Sequence, residues 1–332
     1  MKHPEMNSLS RVRTLKGRRF LFKVEDSDRP SDYLKYDELR NRVWRDPEDR
    51  MPGGRNMLCE NYLRDGSSLY IGVFVEAKKK SFGEDLGHLV GFCYGFTGVK
   101  DKAVGFRDPN NLLFYSQYTG VRDEFRGYNL GILLKEFQRE KVLNLLGVAE
   151  IVCTFDPLTS VNAHRNIHFF GMDVIEYKES VYGGFGGVFN RSDIPLDRFF
   201  VSWDLRRARR RRSGGSESVS GFDHSVVLTE QVEVCGKNGP VSVEVIKDVR
   251  LAPDREVLTV DIPADFYRML NETDVENREV RRIPLEWRLK TRRIFQGLFE
   301  KGYKVIDFRR TWGRPHRNFY VLKKEGRPGG KK

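Results

Sequence analysis

Apolar positions along the chain change period several times, and each change marks an element. Residues 20–24 read as a strand, and Tyr36, Leu39 and Val43 then share one face of a helix that either Ser31 or Asp32 caps. Residues 69–75 and 88–96 read as two strands joined by a charged hairpin around Lys78 to Asp85. A third strand, 112–121, runs into a glycine-bearing turn. An amphipathic helix follows, with Leu130, Leu133, Leu134, Phe137, Val142 and Leu145 on its apolar side, and then a short buried strand at 151–155. Alternation of this kind predicts an α/β fold built on a mixed sheet.

The run Phe199, Phe200, Val201, Ser202, Trp203 is strand-like, and the composition changes directly after it. Residues 206–212 hold six arginines and lead into a Ser/Gly-rich stretch, which reads as a basic linker over 206–222. The division predicted is therefore an N-terminal extension (1–17), a first domain (18–205), the linker, a smaller α+β domain (223–325) and a disordered tail (326–332). In the second domain, 226–228 and 241–245 suggest strands and 264–270 a short helix. A long helix starting at Pro284 sets Trp287, Thr291, Ile294, Phe295 and Leu298 in one stripe, followed by strands at 303–308 and 318–322.

Composition narrows the classes. With 332 residues, 39% hydrophobic and 12% aromatic, the chain is long enough and apolar enough to bury a core, which excludes a wholly disordered protein. Lys and Arg number 59 against 47 Asp and Glu, a net +12, and the six linker arginines supply half of that excess. No stretch approaches the ~18–20 apolar residues of a membrane span, and the start lacks the apolar run of a signal peptide, so a cytoplasmic protein without membrane partners is expected. The four cysteines, Cys59, Cys93, Cys153 and Cys235, are widely spaced and read as reduced core thiols, with no metal site.

The stretch 121–131 carries the most chemistry. It joins a strand to a helix whose first turn offers unpaired backbone N–H groups and the positive end of its dipole, a seat for a pyrophosphate. Gly127 and Gly131 remove side chains where a ligand approaches, Asn129 tolerates a left-handed conformation, and Arg126 adds a charge that can face phosphate. Glycines at such a turn also serve its geometry alone.

The pattern V-x-x-x-x-R-G-x-x-L-G resembles the acyl-CoA-binding motif of the GNAT acyltransferase superfamily, Q/R-x-x-G-x-G/A. Arg126, Asn129 and Gly131 stand at its three defining positions, with Asn in place of the middle glycine. The resemblance extends through Gln138, Thr154 to Leu158, Asn162, Asn166, Tyr182, Asp197, Ile262 to Phe266, Trp287, Arg292 and Gly302 to Val305, as in a GNAT branch with an appended C-terminal domain. It implies an acyl-CoA-binding fold whose central sheet is splayed, with a β-bulge near Thr119 and Gly120. It also implies acetyl-CoA or another acyl-CoA as co-substrate and a small or peptidic amine as acceptor. The Val121 backbone would bind the pantetheine arm, and the N–H groups of Gly127, Tyr128, Asn129, Leu130 and Gly131 the pyrophosphate.

Acyl transfer to an amine needs a free lone pair, an oxyanion stabiliser and a proton donor for the departing thiolate. Gln117 stands where members of the superfamily place a base; glutamine takes no proton at neutral pH but orients a water or the acceptor, or else is simply paired in a polar cleft. Tyr182 is the preferred general acid, because a phenol suits protonation of a thiolate, although the superfamily's usual tyrosine slot holds Ile167; the alternative is a tyrosine simply packed at a loop beside the glycine-rich stretch 183–187. Asp156 either caps the next helix or meets a cationic acceptor. Asn162 and Asn166 lie one helical turn apart, and Asn162 is placed to bond the cofactor arm or the splayed strand. His164 and His168 have the spacing of a zinc helix but lack its glutamate, so both read as packed or solvated. Two rival readings remain: an acyl-CoA-binding protein without turnover, and a nucleic-acid-binding protein that uses the arginine run with Trp312, Arg314, His316 and Arg317.

Overall fold

Lys16 and Gly17 lie at φ 46° and 76°, the two left-handed residues a tight hairpin turn requires, and they join β1 (Ser10–Leu15) to β2 (Arg18–Val24). The computed structural model describes residues 9–45, 51, 53–61, 68–77, 81–182, 189–207, 225–250, 255–311 and 316–325. The chain forms two compact units, Met1–Cys153 with Asp204–Arg207, and Thr154–Trp203 with Ala208–Lys332.

In the first unit β1 and β2 are followed by β3 (Ser68–Val75), β4 (Leu89–Val99), β5 (Leu112–Val121) and β6 (Glu150–Phe155), neighbours in that order. All pair antiparallel except β5 and β6, which are parallel and need the crossover helix α3 (Leu130–Leu145) between them. The strand expected over 112–121 forms at those bounds, and the amphipathic helix expected after the turn is α3. Helices α1 (Leu34–Trp44) and α2 (Gly54–Asn61) bury Tyr36, Leu39 and Met57 against Tyr70, Phe92 and Tyr94 of the sheet. Successive residues of a strand face opposite ways, so Cys93 turns to α3, where its Sγ lies 4.0 Å from the Leu134 carbonyl. Burial pushes that thiol up to about 12.

Neither Ser31 nor Asp32 caps α1. A 3-10 turn, Pro30–Tyr33, precedes the helix, and the Asp32 carboxylate instead accepts from Ser27 Oγ at 2.5 Å and Arg29 Nε at 3.2 Å. Residues 1–17, expected as an extension, contain β1.

The second unit holds β7 (Asp173–Lys178) antiparallel to β8 (Arg198–Asp204), a hairpin of β9 (Val227–Gly236) and β10 (Gly239–Val249), and a sheet of β11 (Val257–Ile262), β12 (Tyr303–Arg310) and β13 (Asn318–Lys324) in the order β11-β13-β12. Helix α4 (Ser160–Ala163) continues as a π-helix, His164–Phe169, and α5 (Phe266–Glu272) and α6 (Arg278–Glu300) complete the unit. The Phe199 ring of β8 lies 4.9 Å from Phe295 of α6 and 5.4 Å from Tyr320 of β13. This shared core joins 154–203 to the C-terminal elements, and the division between units falls inside β6. The linker candidates from 208 to 222 and the tail 326–332 lie outside the described residues.

Helix α6 begins before Pro284, which lies inside it. Asn277 is the cap: its Oδ1 accepts from the N–H groups of Glu279 at 3.0 Å and Val280 at 3.3 Å, and a capping side chain outweighs proline as a start signal. Cys235, expected in a core, is exposed on β9, while Cys93 and Cys153 are buried and all four thiols are free.

Candidate functional site

The end of β5 and the start of α3 hold the candidates of the first unit. Val121 closes the antiparallel ladder opposite Gly91, and the Arg122 N–H still donates to the Val90 carbonyl at 2.9 Å. A 3-10 turn, Asp123–Phe125, then reverses the chain. Gly127 sits at φ 87° and Asn129 at φ 57°, so both positions adopt the left-handed backbone for which Gly and Asn are suited. The Asn129 carbonyl accepts from Ile132 at 3.0 Å and Leu133 at 3.1 Å, and its side chain makes no cap. Among the described residues no acceptor meets the backbone N–H groups of Asn129, Leu130 or Gly131. These donors stand at the positive end of a 16-residue helix, and their chemistry fits a pyrophosphate. Leu130 turns its side chain into the core, whereas Arg126 is exposed and paired with Asp123 at 2.6 Å.

Further back on β5, Tyr94 pairs with Tyr118 and Gly95 with Ser116, which leaves Gln117 as the extra residue of a β-bulge. The bulge therefore lies two residues before the expected Thr119. Gly95 decides the place, because a Cβ there would collide with the Tyr115 carbonyl and the Phe114 ring. Pairing with β6 stops at the same level: Phe114 faces Ile151, Tyr115 faces Val152, and residues from Ser116 onward make no ladder with β6. The strands part as the resemblance implies. Gln117 is exposed at the bulge, while Ser116 Oγ on the α3 side donates to Gln138 Oε1 at 2.8 Å and accepts from the buried Lys135 ammonium.

The remaining candidates lie in the second unit. Tyr182 is exposed, its hydroxyl 2.7 Å from Thr154 Oγ1 and its ring 5.5 Å from the Arg198 guanidinium. Asn162 accepts from Arg165 at 2.7 Å and donates to Thr159 Oγ1 at 3.1 Å, and Asn166 is buried with its Oδ1 unpartnered. Asp156 does two things at once. Its Oδ1 caps the turn after β6 by accepting from the Leu158 N–H at 2.8 Å, and both its oxygens are gripped by Arg288, with Nη1 at 2.9 Å from Oδ1. Burial by itself raises this carboxyl, but Arg288, then Arg198 and the Leu158 N–H outweigh it and hold the group below the usual carboxylate range. The unit thus links Arg288, Asp156, Arg198, Tyr182 and Thr154, a chain in which only the aspartate and the tyrosine are sequence candidates.

His164 and His168 stack with ring centroids 5.0 Å apart, and His168 Nδ1 lies 3.0 Å from Asp307 Oδ1. Among the described residues no group of three or more His, Cys, Asp and Glu side chains is placed to hold a metal. Arg317 is engaged by Asp261 through both Nε at 2.8 Å and Nη2 at 2.9 Å, and Trp312, Arg314 and the arginines 209–212 lie outside the described residues. Among the described residues no helix is long and apolar enough to cross a membrane.

No family model matches the chain, and no curated protein sequence does. Solved structures similar to it include Arabidopsis thaliana NAA60 in complex with acetyl-CoA, 11% identical over 56% of this chain and 99% of that one, with a TM-score of 0.40. The NatC complex bound to Gag peptide and CoA gives 14% identity, 56% and 98% coverage and a TM-score of 0.39. An acetyltransferase of the GNAT family from Streptococcus pneumoniae gives 12%, 55% and 97%, and 0.39.

Proposed function

We propose that the chain is an acyl-CoA-dependent acyltransferase, N-acetyltransferase in type, that moves an acyl group from a CoA thioester directly to an amine. One observation carries this reading: β5 leaves its parallel neighbour at a bulge and delivers the chain into a helix whose first backbone N–H groups have no acceptor. That combination supports a slot for an extended pantetheine ending at a pyrophosphate seat, with the Val121 backbone along the slot and residues 126–131 at the seat. The thioester supplies an activated carbonyl carbon and a thiolate leaving group.

The chain's own residues then need to orient, exclude water and move one proton. Holding an amine and a thioester in line contributes roughly 7–11 kcal/mol, so a strong side-chain base is dispensable. Gln117 orients the amine or a water at the bulge, since its carboxamide donates and accepts but takes no proton. Tyr182, positioned by Thr154, gives its hydroxyl proton to the thiolate as the C–S bond breaks and the C–N bond forms, and it regains, through solvent, the proton that the acylated nitrogen sheds. Asn162 is assigned to the cofactor arm. Asp156, with both oxygens engaged, fixes the turn after β6 and holds Arg198 against Tyr182.

Calorimetric titration with acetyl-CoA and longer acyl-CoAs tests the reading, with Gly131→Tyr as the variant that fills the turn. Saturable binding lost in the variant is the expected result; a folded wild-type protein that binds none of them overturns it. The non-ionisable Gln117 favours one second reading, a protein that binds acyl-CoA without turnover, which predicts the same titration and no product with any amine.

A further inference from the structure

The tip of the β1–β2 hairpin lies against the turn that precedes α3. Phe20, fully buried on β2, packs its ring 5.3 Å from Tyr128 and 6.3 Å from Phe125, which anchors the hairpin to residues 125–128. That anchor brings Lys16 Nζ to 5.7 Å over the Tyr128 ring and the Arg18 guanidinium to 5.9 Å over the Phe125 ring. A Cβ built on Gly127 would find Lys16 Nζ at 4.0 Å and no other atom within reach. The glycine therefore leaves an open space whose near wall is an ammonium group.

Two further facts show that these cations, seated over aromatic rings, are left without a counter-charge. Three other basic residues of the same hairpin are paired, Arg11 with Glu140 at 2.8 Å, Arg19 with Glu76 and Lys23 with Glu84 at 2.8 Å, while Arg13 on β1 has no ion pair among the described residues. Among the described residues neither Lys16 nor Arg18 has a carboxylate partner. Lys16 also occupies a left-handed position, φ 46°, where hairpin turns favour Asn, Asp or Gly. A lysine there bears a backbone cost that hairpin geometry alone does not require.

We infer that Lys16 and Arg18 bind the 3′-phosphate of the CoA adenosine, so that the site discriminates CoA from its 3′-dephospho form. This rests on the acyl-CoA reading above. The pyrophosphate is matched by directional N–H donors at Asn129 to Gly131, while a phosphate monoester concentrates nearly two negative charges and is suited to an ammonium beside a guanidinium.

The test is calorimetric affinity for CoA and for dephospho-CoA, measured on the full chain and on a Lys16→Gln/Arg18→Gln variant, with the fold of each checked by circular dichroism. The wild type is expected to bind CoA about tenfold more tightly than dephospho-CoA. The variant should bring the two within about twofold by weakening CoA alone, and Lys16→Arg should retain most of the discrimination. Equal binding of both ligands by the wild type overturns the inference, as does a variant that loses both equally, which would assign the cations to the pyrophosphate. If neither ligand binds the folded wild type, the acyl-CoA reading itself fails and takes this assignment with it.

Discussion

Replacing Arg288 with methionine removes one half of a nearly dry ion pair and leaves the other in place. Arg288 is 1% exposed and Asp156 7%, so the carboxylate cannot recover its hydration where it stands. Removing one member of such a pair costs about 3–5 kcal/mol. Asp156 keeps two weaker partners, Arg198 at 3.6 Å and the Leu158 N–H at 2.8 Å, which places the expected loss near the lower end, about 3 kcal/mol. Asp156→Asn leaves a buried guanidinium beside a neutral amide, and the double variant removes both charges, so its cost should fall short of the sum of the singles by about 1–3 kcal/mol. Urea denaturation at pH 7 measures all three. The pH arm has a definite sign: the folded-state pKa of Asp156 lies below its ordinary 3.8, so its contribution is fully present above that value and is lost as pH falls through the folded value. In Arg288→Met burial is less opposed, so the folded-state pKa moves up toward or past the ordinary 3.8, and the acid-side loss should shrink or reverse. An Arg288→Met protein within 1 kcal/mol of wild type, or a strictly additive cycle, would refute the reasoning. Turnover abolished in Asp156→Asn with stability unchanged would instead give the carboxylate a chemical role.

Gly95→Ala should destabilise the first unit by about 1–3 kcal/mol, because the new methyl meets the Tyr115 carbonyl at the bulge, whereas Gly98→Ala, whose Cβ meets only Leu113 Cδ1 at 3.6 Å, should change the urea midpoint little. His164 is held down to about 4 by burial, then by Arg310 and His168, against an opposing pull from Asp307. Because its folded pKa is depressed, stability should decline as pH falls from about 6.5 to about 4, and melting curves of His164→Gln should show a shallower decline over that interval.

What could be read from the sequence depended on how far apart the cooperating residues are. Residues 112–145 carry a strand, a turn with Gly127 and Asn129, and an amphipathic helix in one continuous stretch, so period and backbone preference sufficed to locate them. The bulge was displaced by two residues because its cause is on another strand: Gly95 of β4 lets Phe114 and Tyr115 come close, and nothing in 112–121 records that. The start of α6 was obscured by Pro284, a local signal that competed with the true cap at Asn277. Arg288 could not be paired with Asp156 by any local rule, since 132 residues separate them.

That separation also bears on what the C-terminal elements do. A residue on α6 fixes the carboxylate at the end of β6, and Tyr320 of β13 donates its hydroxyl to the Pro157 carbonyl at 2.8 Å in the same turn. The segment that follows β6 in a βα crossover has no sheet ladder to hold it, so its geometry depends on whatever packs against it. Here α6 and β13 supply that support. The same Asp156 also meets Arg198, whose guanidinium lies over the ring of Tyr182. A perturbation of α6 at Arg288 is therefore transmitted to the proposed proton donor through two intervening residues, Asp156 and Arg198. In the acyltransferase reading, the C-terminal elements then act on the reaction by fixing the shape of the turn that carries Asp156, and Arg288→Met should lower turnover more than it weakens acyl-CoA binding.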